Sequence, residues 1–75
     1  MGRLHVKIAD CSYEQLTRVA KRCGFVIKEA RKHCKVKTST DKFITTIPRH
    51  QRLKRETARG IAEKLNEFGG KIEIL

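Results

Sequence analysis

The chain has few aromatic side chains to offer a ligand. It contains no tryptophan, one tyrosine and three phenylalanines among its 75 residues. Proteins that bind single-stranded nucleic acid without sequence preference stack the bases on exposed aromatic rings. The available rings are Tyr13, Phe25, Phe43 and Phe68. Most of them are expected in the core, so this mode of binding has weak support.

Arrangements of metal ligands are missing as well. The three cysteines, Cys11, Cys23 and Cys34, follow no zinc-binding spacing, and no paired carboxylates or metal-ligand cluster occur. The sequence therefore predicts no metal site and disfavours a two-metal nuclease. An odd number of cysteines without a metal motif is typical of buried, reduced thiols in a cytosolic protein.

Long apolar runs are also absent. Residues 1–7 alternate between polar and apolar side chains and lack the apolar stretch of a secretory signal peptide, and no membrane-spanning run follows. We therefore expect a cytoplasmic protein with no segment inserted in a membrane. A chain of 75 residues is long enough for one domain, 1–75, with a thin core. A closed cavity for an organic cofactor is not expected, and no cofactor is predicted.

The charge of the chain is strongly one-sided. Lysine and arginine total 18, aspartate and glutamate total 8, and the formal net charge is +10. Residues 28–59 hold eleven basic and three acidic side chains, so this stretch carries +8 of that charge. A positive field of this kind attracts polyanions, and nucleic acid is the first candidate partner. An acidic protein, an anionic membrane surface and a basic surface that serves only solubility are the alternatives.

The spacing of apolar residues predicts an α+β fold. Alternation with period two predicts strands, and apolar residues at i, i+3, i+4 and i+7 predict helices. The predicted order is a strand over 4–8, a helix from Tyr13 to Cys23, strands over 25–29, 33–39 and 43–47, a helix from about Arg55 to Phe68, and a strand over 71–74. This is an antiparallel three-stranded meander between two helices, an α-β-β-β-α core, with extra short strands at both ends. The terminal strands have three possible positions: the sheet edge, each other, or a second copy of the chain.

Local signals mark where the helices begin and end. Ser12 followed by Gln15 has the form of a capping box, and Gly24 is well placed to end the first helix in a left-handed conformation. Gly69 and Gly70 end the second helix. The apolar stripes consist of Leu16, Val19, Ala20 and Cys23 in the first helix and Ala58, Ile61, Ala62 and Leu65 in the second.

Three segments resemble the HicA mRNA interferases, the toxins of a class of toxin–antitoxin pairs. In the first segment the opening helix runs into Gly-Phe at Gly24-Phe25, as a helix does in the family. The second is His33, which stands at the start of the middle strand, where the family has its catalytic histidine. The third and most specific segment is close to the family's Pro-x-His loop and second helix, and it comprises Thr46 to His50, Leu53-Lys54 and Thr57 to Ile61.

The resemblance covers roughly two-thirds of the chain, from Tyr13 to about Leu65. It implies a fold similar to the double-stranded RNA-binding domain and a metal-independent endoribonuclease activity on mRNA. It also implies a HicB-like antitoxin as protein partner and His33 as the catalytic residue. The chain departs from the family at Arg31 and Lys32, because the family usually has Gly and Ser before its histidine.

Imidazole and basic side chains suit RNA cleavage without a metal. Such cleavage drives the ribose 2′-hydroxyl onto the adjacent phosphate, which requires proton transfer and stabilisation of the developing negative charge. Imidazole suits proton transfer near neutral pH, and Lys and Arg suit stabilisation of the charge. His33 is expected on the polar face of its strand beside Lys35 and Lys37, which would hold the phosphate.

The basic loop before the second helix supplies the other predicted RNA contacts. Arg49, His50 and Arg52 lie in this loop. His50 has three open roles, as a second proton carrier, a phosphate ligand or a cap of the second helix, and binding or structure is favoured over catalysis. Lys54 and Arg55 stand at the start of the second helix, where free backbone N–H groups attract phosphate.

RNA is favoured over DNA because the second helix offers few side chains for reading base edges. A sheet-and-helix domain that reads shape also suits the grooves of A-form RNA. Two other functions remain open. A non-catalytic RNA-binding module would bind RNA with strong salt dependence and leave it intact, and the missing Gly-Ser pair favours it. A structural protein would form a homodimer through its terminal strands.

Overall fold

The computed structural model describes residues 4–75, except for the side chain of Asp10. Residues 1–3, which belong to the segment used above for the signal-peptide prediction, lie outside the described residues. The elements follow the chain in the order β1 (Leu4–Val6), a 3-10 helix (Ile8–Asp10), α1 (Tyr13–Arg22), β2 (Val26–Glu29), β3 (His33–Lys37), β4 (Phe43–Pro48), α2 (Arg55–Glu67) and β5 (Ile72–Ile74). A mixed α+β fold with two helices and a three-stranded antiparallel sheet is confirmed.

Helix α1 begins at the predicted capping box. The Ser12 hydroxyl accepts a hydrogen bond from the Gln15 N–H, and the Gln15 side-chain oxygen accepts one from the Ser12 N–H, both at 3.3 Å. Gly24 follows the helix with a φ of +92°, a left-handed conformation that suits glycine. The predicted apolar stripe is buried at Leu16, Val19 and Ala20 and half-buried at Cys23.

Strands β2, β3 and β4 form one antiparallel sheet in that order. Strand β3 is shorter than predicted because a turn begins at Thr38. The Thr38 N–H donates to the Lys42 carbonyl oxygen at 2.8 Å, and the Thr38 hydroxyl accepts from the Lys42 N–H at 3.0 Å. Asp41 in this turn has a φ of 69°, in the left-handed region that aspartate tolerates better than most residues.

A bulge decides which side chains of β4 reach the core. Val36 on β3 pairs with Thr45, whereas the next residue, Lys37, pairs with Phe43. Ile44 is therefore an extra residue on β4. Ile44 and Ile47 stand three positions apart and would point to opposite faces of a regular strand, yet both are buried. The same irregularity leaves Phe43 on the face away from the core.

The terminal strands pair with each other, which is one of the three arrangements considered above. Strands β1 and β5 run parallel, with Leu4 opposite Ile72. Strand β1 is shorter than predicted because Ile8 already belongs to the 3-10 helix. The Asn66 amide nitrogen donates to the Ile72 carbonyl oxygen at 3.0 Å, and its amide oxygen accepts from the Ile72 N–H at 2.9 Å. Asn66 thereby occupies backbone groups of β5 that a further strand would use.

One buried cluster joins both helices to the inward face of the three-stranded sheet. The sheet contributes Cys34, Val36, Ile44 and Ile47, and the helices contribute Leu16, Val19, Ala20, Ala58, Ile61 and Leu65. The strand register places a second set of side chains on the other face, which we call the open face. Its members are Val26, Lys28, His33, Lys35, Lys37, Phe43, Thr46 and Pro48.

Candidate functional site

His33 opens strand β3 and lies on the open face. Its side chain is exposed, and its partner across the ladder to β4 is Pro48. The His33 carbonyl oxygen accepts a hydrogen bond from the Ala30 N–H at 2.9 Å, which closes the turn between β2 and β3. The backbone of the histidine is therefore fixed at one end of the sheet, where the basic loop begins, and its imidazole is accessible from solvent.

Arg49 fastens the basic loop to the turn that precedes His33. Its N–H donates to the Lys32 carbonyl oxygen at 3.1 Å, and its Nη1 donates to the Ala30 carbonyl oxygen at 3.2 Å. Its Cζ lies 5.6 Å from the centroid of the Tyr13 ring. A side-chain hydrogen bond with Tyr13 raises the pKa of Arg49. The guanidinium predicted to contact RNA is thus held by contacts within the protein.

The backbone of His50 joins the basic loop to helix α1. Its carbonyl oxygen accepts a hydrogen bond from the Tyr13 N–H at 3.2 Å, one of the donors that a helix start leaves without an intrahelical partner. The Leu53 N–H donates to the Cys11 carbonyl oxygen at 2.8 Å and fixes the loop at a second point. The backbone of His50 therefore supports the first helix, while its side chain is exposed, as is that of Arg52.

Lys54 and Arg55 lie where the sequence predicts them, at the start of α2. Lys54 is the N-cap residue and Arg55 is the first residue of the helix. A lysine side chain has no acceptor atom, so Lys54 leaves the first N–H groups of α2 uncapped. A groove of about 450 Å³ lies beside this helix start, and it is lined by Pro48, His50, Arg52, Leu53, Lys54 and Thr57. Its cationic lining and free N–H groups suit a phosphate.

Lys35 and Lys37 share the open face with His33 but differ in position and partners. At about 3.3 Å per residue, Lys35 lies about 7 Å and Lys37 about 13 Å along the strand from His33. Lys35 is exposed and stands opposite Lys28 of β2. The Lys37 side chain is only 21% exposed, and its Nζ lies 3.4 Å from an Asp41 carboxylate oxygen. Lys35 is therefore the nearer cation, whereas Lys37 belongs to the far end of the sheet.

Sequence reasoning missed the exposed apolar part of the open face. Phe43 is 52% exposed and Val26 is 42% exposed. The other three aromatic rings are half-buried and pack against the core: Tyr13, Phe25 and Phe68. The available signal was the odd spacing of Ile44 and Ile47, because two buried residues at that spacing require an irregular strand.

The thiol beside the candidate histidine is turned away from it. Cys34 follows His33 in the chain but is fully buried in the core, as is Cys11. Burial raises the pKa of the Cys34 thiol and of the Cys11 thiol. A buried, protonated thiol is a poor nucleophile, so the chemistry available at this end of the sheet is that of imidazole and of cations.

The described part of the chain offers neither a metal site nor a membrane-spanning helix. Within residues 4–75, leaving aside the Asp10 side chain, no group of three or more His, Cys, Asp or Glu residues is placed to hold a metal ion. Neither of the two α-helices found there is long and apolar enough to cross a bilayer.

Comparisons of the chain with protein-family models, with curated proteins and with solved structures found no match. The functional hypothesis therefore depends on the sequence motifs, the fold and the geometry of the site.

Proposed function

We propose that the chain is a metal-independent endoribonuclease of the HicA type, in which His33 transfers the proton. The observation that carries the proposal is the exposed imidazole of His33 on a basic sheet face, at the end where Arg49 anchors the basic loop. Lys35 is the cation nearest to it along the strand. The order α1-β2-β3-β4-α2 supports a likeness to the double-stranded RNA-binding domain.

In the proposed reaction, His33 takes the proton of a ribose 2′-hydroxyl as the 2′-oxygen attacks the adjacent phosphorus. The bond between phosphorus and the 5′-oxygen breaks, and that oxygen leaves with a proton from solvent or from a second donor such as His50. The products are a 2′,3′-cyclic phosphate and a 5′-hydroxyl, so atoms and charge balance without a metal. Lys35 stabilises the negative charge that develops on the phosphate oxygens.

The remaining cations form the proposed RNA-binding surface. Lys37 is proposed to contact the RNA strand farther along the sheet. At the other end, the loop and the start of α2 contribute Arg49, His50, Arg52, Lys54 and Arg55. Because α2 begins with uncapped N–H groups next to these side chains, a phosphate bound there would meet both backbone and side-chain donors.

An inhibitor that covers the basic open face and the basic loop would need acidic side chains at the contact. We propose a HicB-like antitoxin as the protein partner and the cytoplasm as the site of action, with no membrane contact. Such a partner would cover His33 and place carboxylates against Lys35 and the basic loop. Binding of this kind would weaken with salt, because its attraction acts between charges that are solvent-exposed before contact.

The decisive experiment compares the wild-type chain with His33→Ala on a mixed-sequence RNA in the presence of EDTA. His5→Ala is the matched control, because His5 is also an exposed strand histidine but lies on β1 and faces Glu73 at 3.4 Å. We expect cleavage by the wild type and by His5→Ala, and intact RNA with His33→Ala although it still binds. Equal binding without cleavage by all three proteins would refute the enzymatic proposal.

That last outcome would support a non-catalytic RNA-binding module with the same surface. The observation that favours this second candidate is the turn before His33, which has Arg31 and Lys32 in place of the family's Gly and Ser. The Lys32 carbonyl oxygen is already engaged by the Arg49 N–H. Glycine allows a close approach of backbone to ligand that these residues do not.

A homodimer through the terminal strands is a separate hypothesis about assembly. Strands β1 and β5 already pair within one chain, so a second copy would have to add at an outer edge of this two-stranded sheet. On β5, the Asn66 side chain holds both backbone groups of Ile72. Light scattering of the full chain decides between monomer and dimer, and Asn66→Ala should favour association if the edge of β5 is the contact.

A further inference from the structure

An apolar and aromatic row crosses the far end of the open face. Lys37 stands opposite Val26 on one side and opposite Phe43 on the other. Side chains directly opposite each other in an antiparallel pair have Cβ atoms about 5 Å apart. The half-buried stem of Lys37 therefore lies between two exposed apolar side chains, and its ammonium group pairs with Asp41.

Phe43 is not part of the core packing. The three other aromatic residues pack against the buried cluster, but Phe43 and Val26 are exposed. The neighbouring lysine does not cover the ring either, because the Lys42 Nζ lies over Phe68, 5.7 Å from that ring centroid. An exposed ring of this kind beside cations is the combination that single-strand binding proteins use to stack a base.

We propose that Phe43 is a stacking platform for an unpaired base, so that the open face binds single-stranded RNA. The proposal rests on the proposed action on RNA and names the substrate class of that site. None of the strand residues that the register places on this face is acidic, and the nearby Asp41 carboxylate is paired with Lys37. Lys28 and Lys35 stand opposite each other midway between Phe43 and His33. Their charge complements a phosphate backbone that runs along β3.

The distance along the strand separates recognition from chemistry. Phe43 is level with Lys37, about 13 Å along β3 from His33. A base on Phe43 therefore belongs to a nucleotide other than the one that is cut. Bases in a duplex are stacked on their neighbours and cannot reach the ring, so single-stranded RNA is the matching substrate.

The test measures binding without cleavage. The probe is a single-stranded 2′-O-methyl oligonucleotide, which lacks the nucleophilic 2′-hydroxyl and cannot be cut. It carries one 2-aminopurine, a base whose fluorescence reports stacking. We expect Phe43→Ala to raise Kd by roughly tenfold and to abolish the quenching of 2-aminopurine. Phe43→Tyr keeps a ring and should restore both, whereas Phe43→Leu keeps apolar area and should restore neither.

Matched controls separate stacking from general loss of the surface. Val26→Ala removes an exposed apolar side chain from the same row and should leave Kd close to the wild-type value. A pre-formed duplex of the same sequence should bind the wild type and Phe43→Ala equally. Circular dichroism of each variant confirms that it is folded, as expected for a side chain that is half exposed.

Several outcomes would overturn the inference. Wild-type binding by Phe43→Ala or by Phe43→Leu would remove the stacking role, and so would equal weakening of duplex and single strand. A wild-type dimer that Phe43→Ala converts to a monomer would assign the row to a contact between two copies. If binding depends on Phe43 and ordinary RNA is not cut, the stacking site stands and only the nuclease proposal fails. If ordinary RNA is cut but binding does not depend on Phe43, the nuclease proposal stands and the stacking site fails.

Discussion

Arg49 lies over the aromatic ring of Tyr13, with its Cζ 5.6 Å from the ring centroid. The two residues come from the basic loop and from the first turn of α1, and the Nη1 atom of the same guanidinium reaches the Ala30 carbonyl oxygen at 3.2 Å. Arg49 thereby links three segments, which are the basic loop, the turn before His33 and the start of α1. In addition to its proposed contact with RNA, we assign Arg49 a positioning role, because its guanidinium contacts the protein itself.

Replacement of Arg49 should disturb the loop more than the loss of one surface charge. We expect Arg49→Ala to lower Tm and to lower kcat for RNA cleavage more than it raises KM. Arg49→Lys keeps the charge but cannot make the planar, forked contacts, so it should behave like the alanine variant. A double-mutant cycle with Tyr13→Leu, which removes the ring, measures the coupling in thermal unfolding. Additive effects, or full rescue by lysine, would contradict the assignment, and Arg18→Ala on the exposed side of α1 is the control.

Lys35 should contribute one phosphate contact to RNA binding. If it does, Lys35→Ala reduces the slope of log Kd against log salt by about 0.7 for a single strand. Lys64→Ala is the matched control, because Lys64 is an exposed lysine on α2 that pairs with Glu67 at 3.5 Å, and its loss should leave the slope unchanged. The measurement is a salt titration of Kd with an uncleavable RNA. An unchanged slope for Lys35→Ala would place the phosphates elsewhere.

Two glycines should respond to alanine with opposite signs. A Cβ at Gly24 or at Gly60 would meet no atom within 4 Å, so neither substitution is limited by space. Gly24 has a φ of +92°, where alanine is strained, and Gly24→Ala should destabilise the fold by about 1 kcal/mol. Gly60 lies inside α2, and Gly60→Ala should stabilise it by about 0.5–1 kcal/mol. Urea unfolding measures both, and equal signs would contradict the assigned backbone conformations.

The buried thiols should make stability depend on pH in the alkaline range. Burial raises the pKa of Cys11 and Cys34 in the folded state, above the unfolded value of about 8.5. Their contribution is fully present below that unfolded pKa and is lost as pH rises through the folded pKa. The free energy of unfolding should therefore decline above about pH 8.5, and less steeply in Cys34→Ala.

The same burial predicts the pattern of thiol modification. At pH 8, a thiol reagent should modify the half-buried Cys23 in the native protein, whereas Cys11 and Cys34 should react only after urea is added. Mass spectrometry of the modified peptides assigns the sites. Rapid native modification of Cys34 would contradict its inward orientation.

Signals between near neighbours in the chain predicted much of the fold. The capping box needs only Ser12 and Gln15, and both hydrogen bonds are present. The left-handed end of α1 needs only Gly24, and it is observed. These features depend on residues within about one helical turn of each other, so the sequence is sufficient to predict them.

Features that join distant parts of the chain were harder to predict. The bulge at Ile44 depends on how β4 lies against β3, and it decides that Phe43 is exposed. Lys37 was predicted to hold the phosphate together with Lys35, and the structure instead pairs its ammonium group with Asp41 in the turn after β3. The contact between Arg49 and Tyr13 could not be predicted, because nothing near Arg49 in the sequence shows that Tyr13 lies beneath it.

By itself, the sequence determined the charge and the element types. Those properties follow from composition and from periods of two and 3.6 residues, which act over short stretches of chain. Only the tertiary structure decided which cations contact other residues of the protein, which ring faces solvent and how the terminal strands pair. Each of these depends on contacts between residues far apart in the chain, where the strand register and the packing of the core select one arrangement from several with the same local pattern.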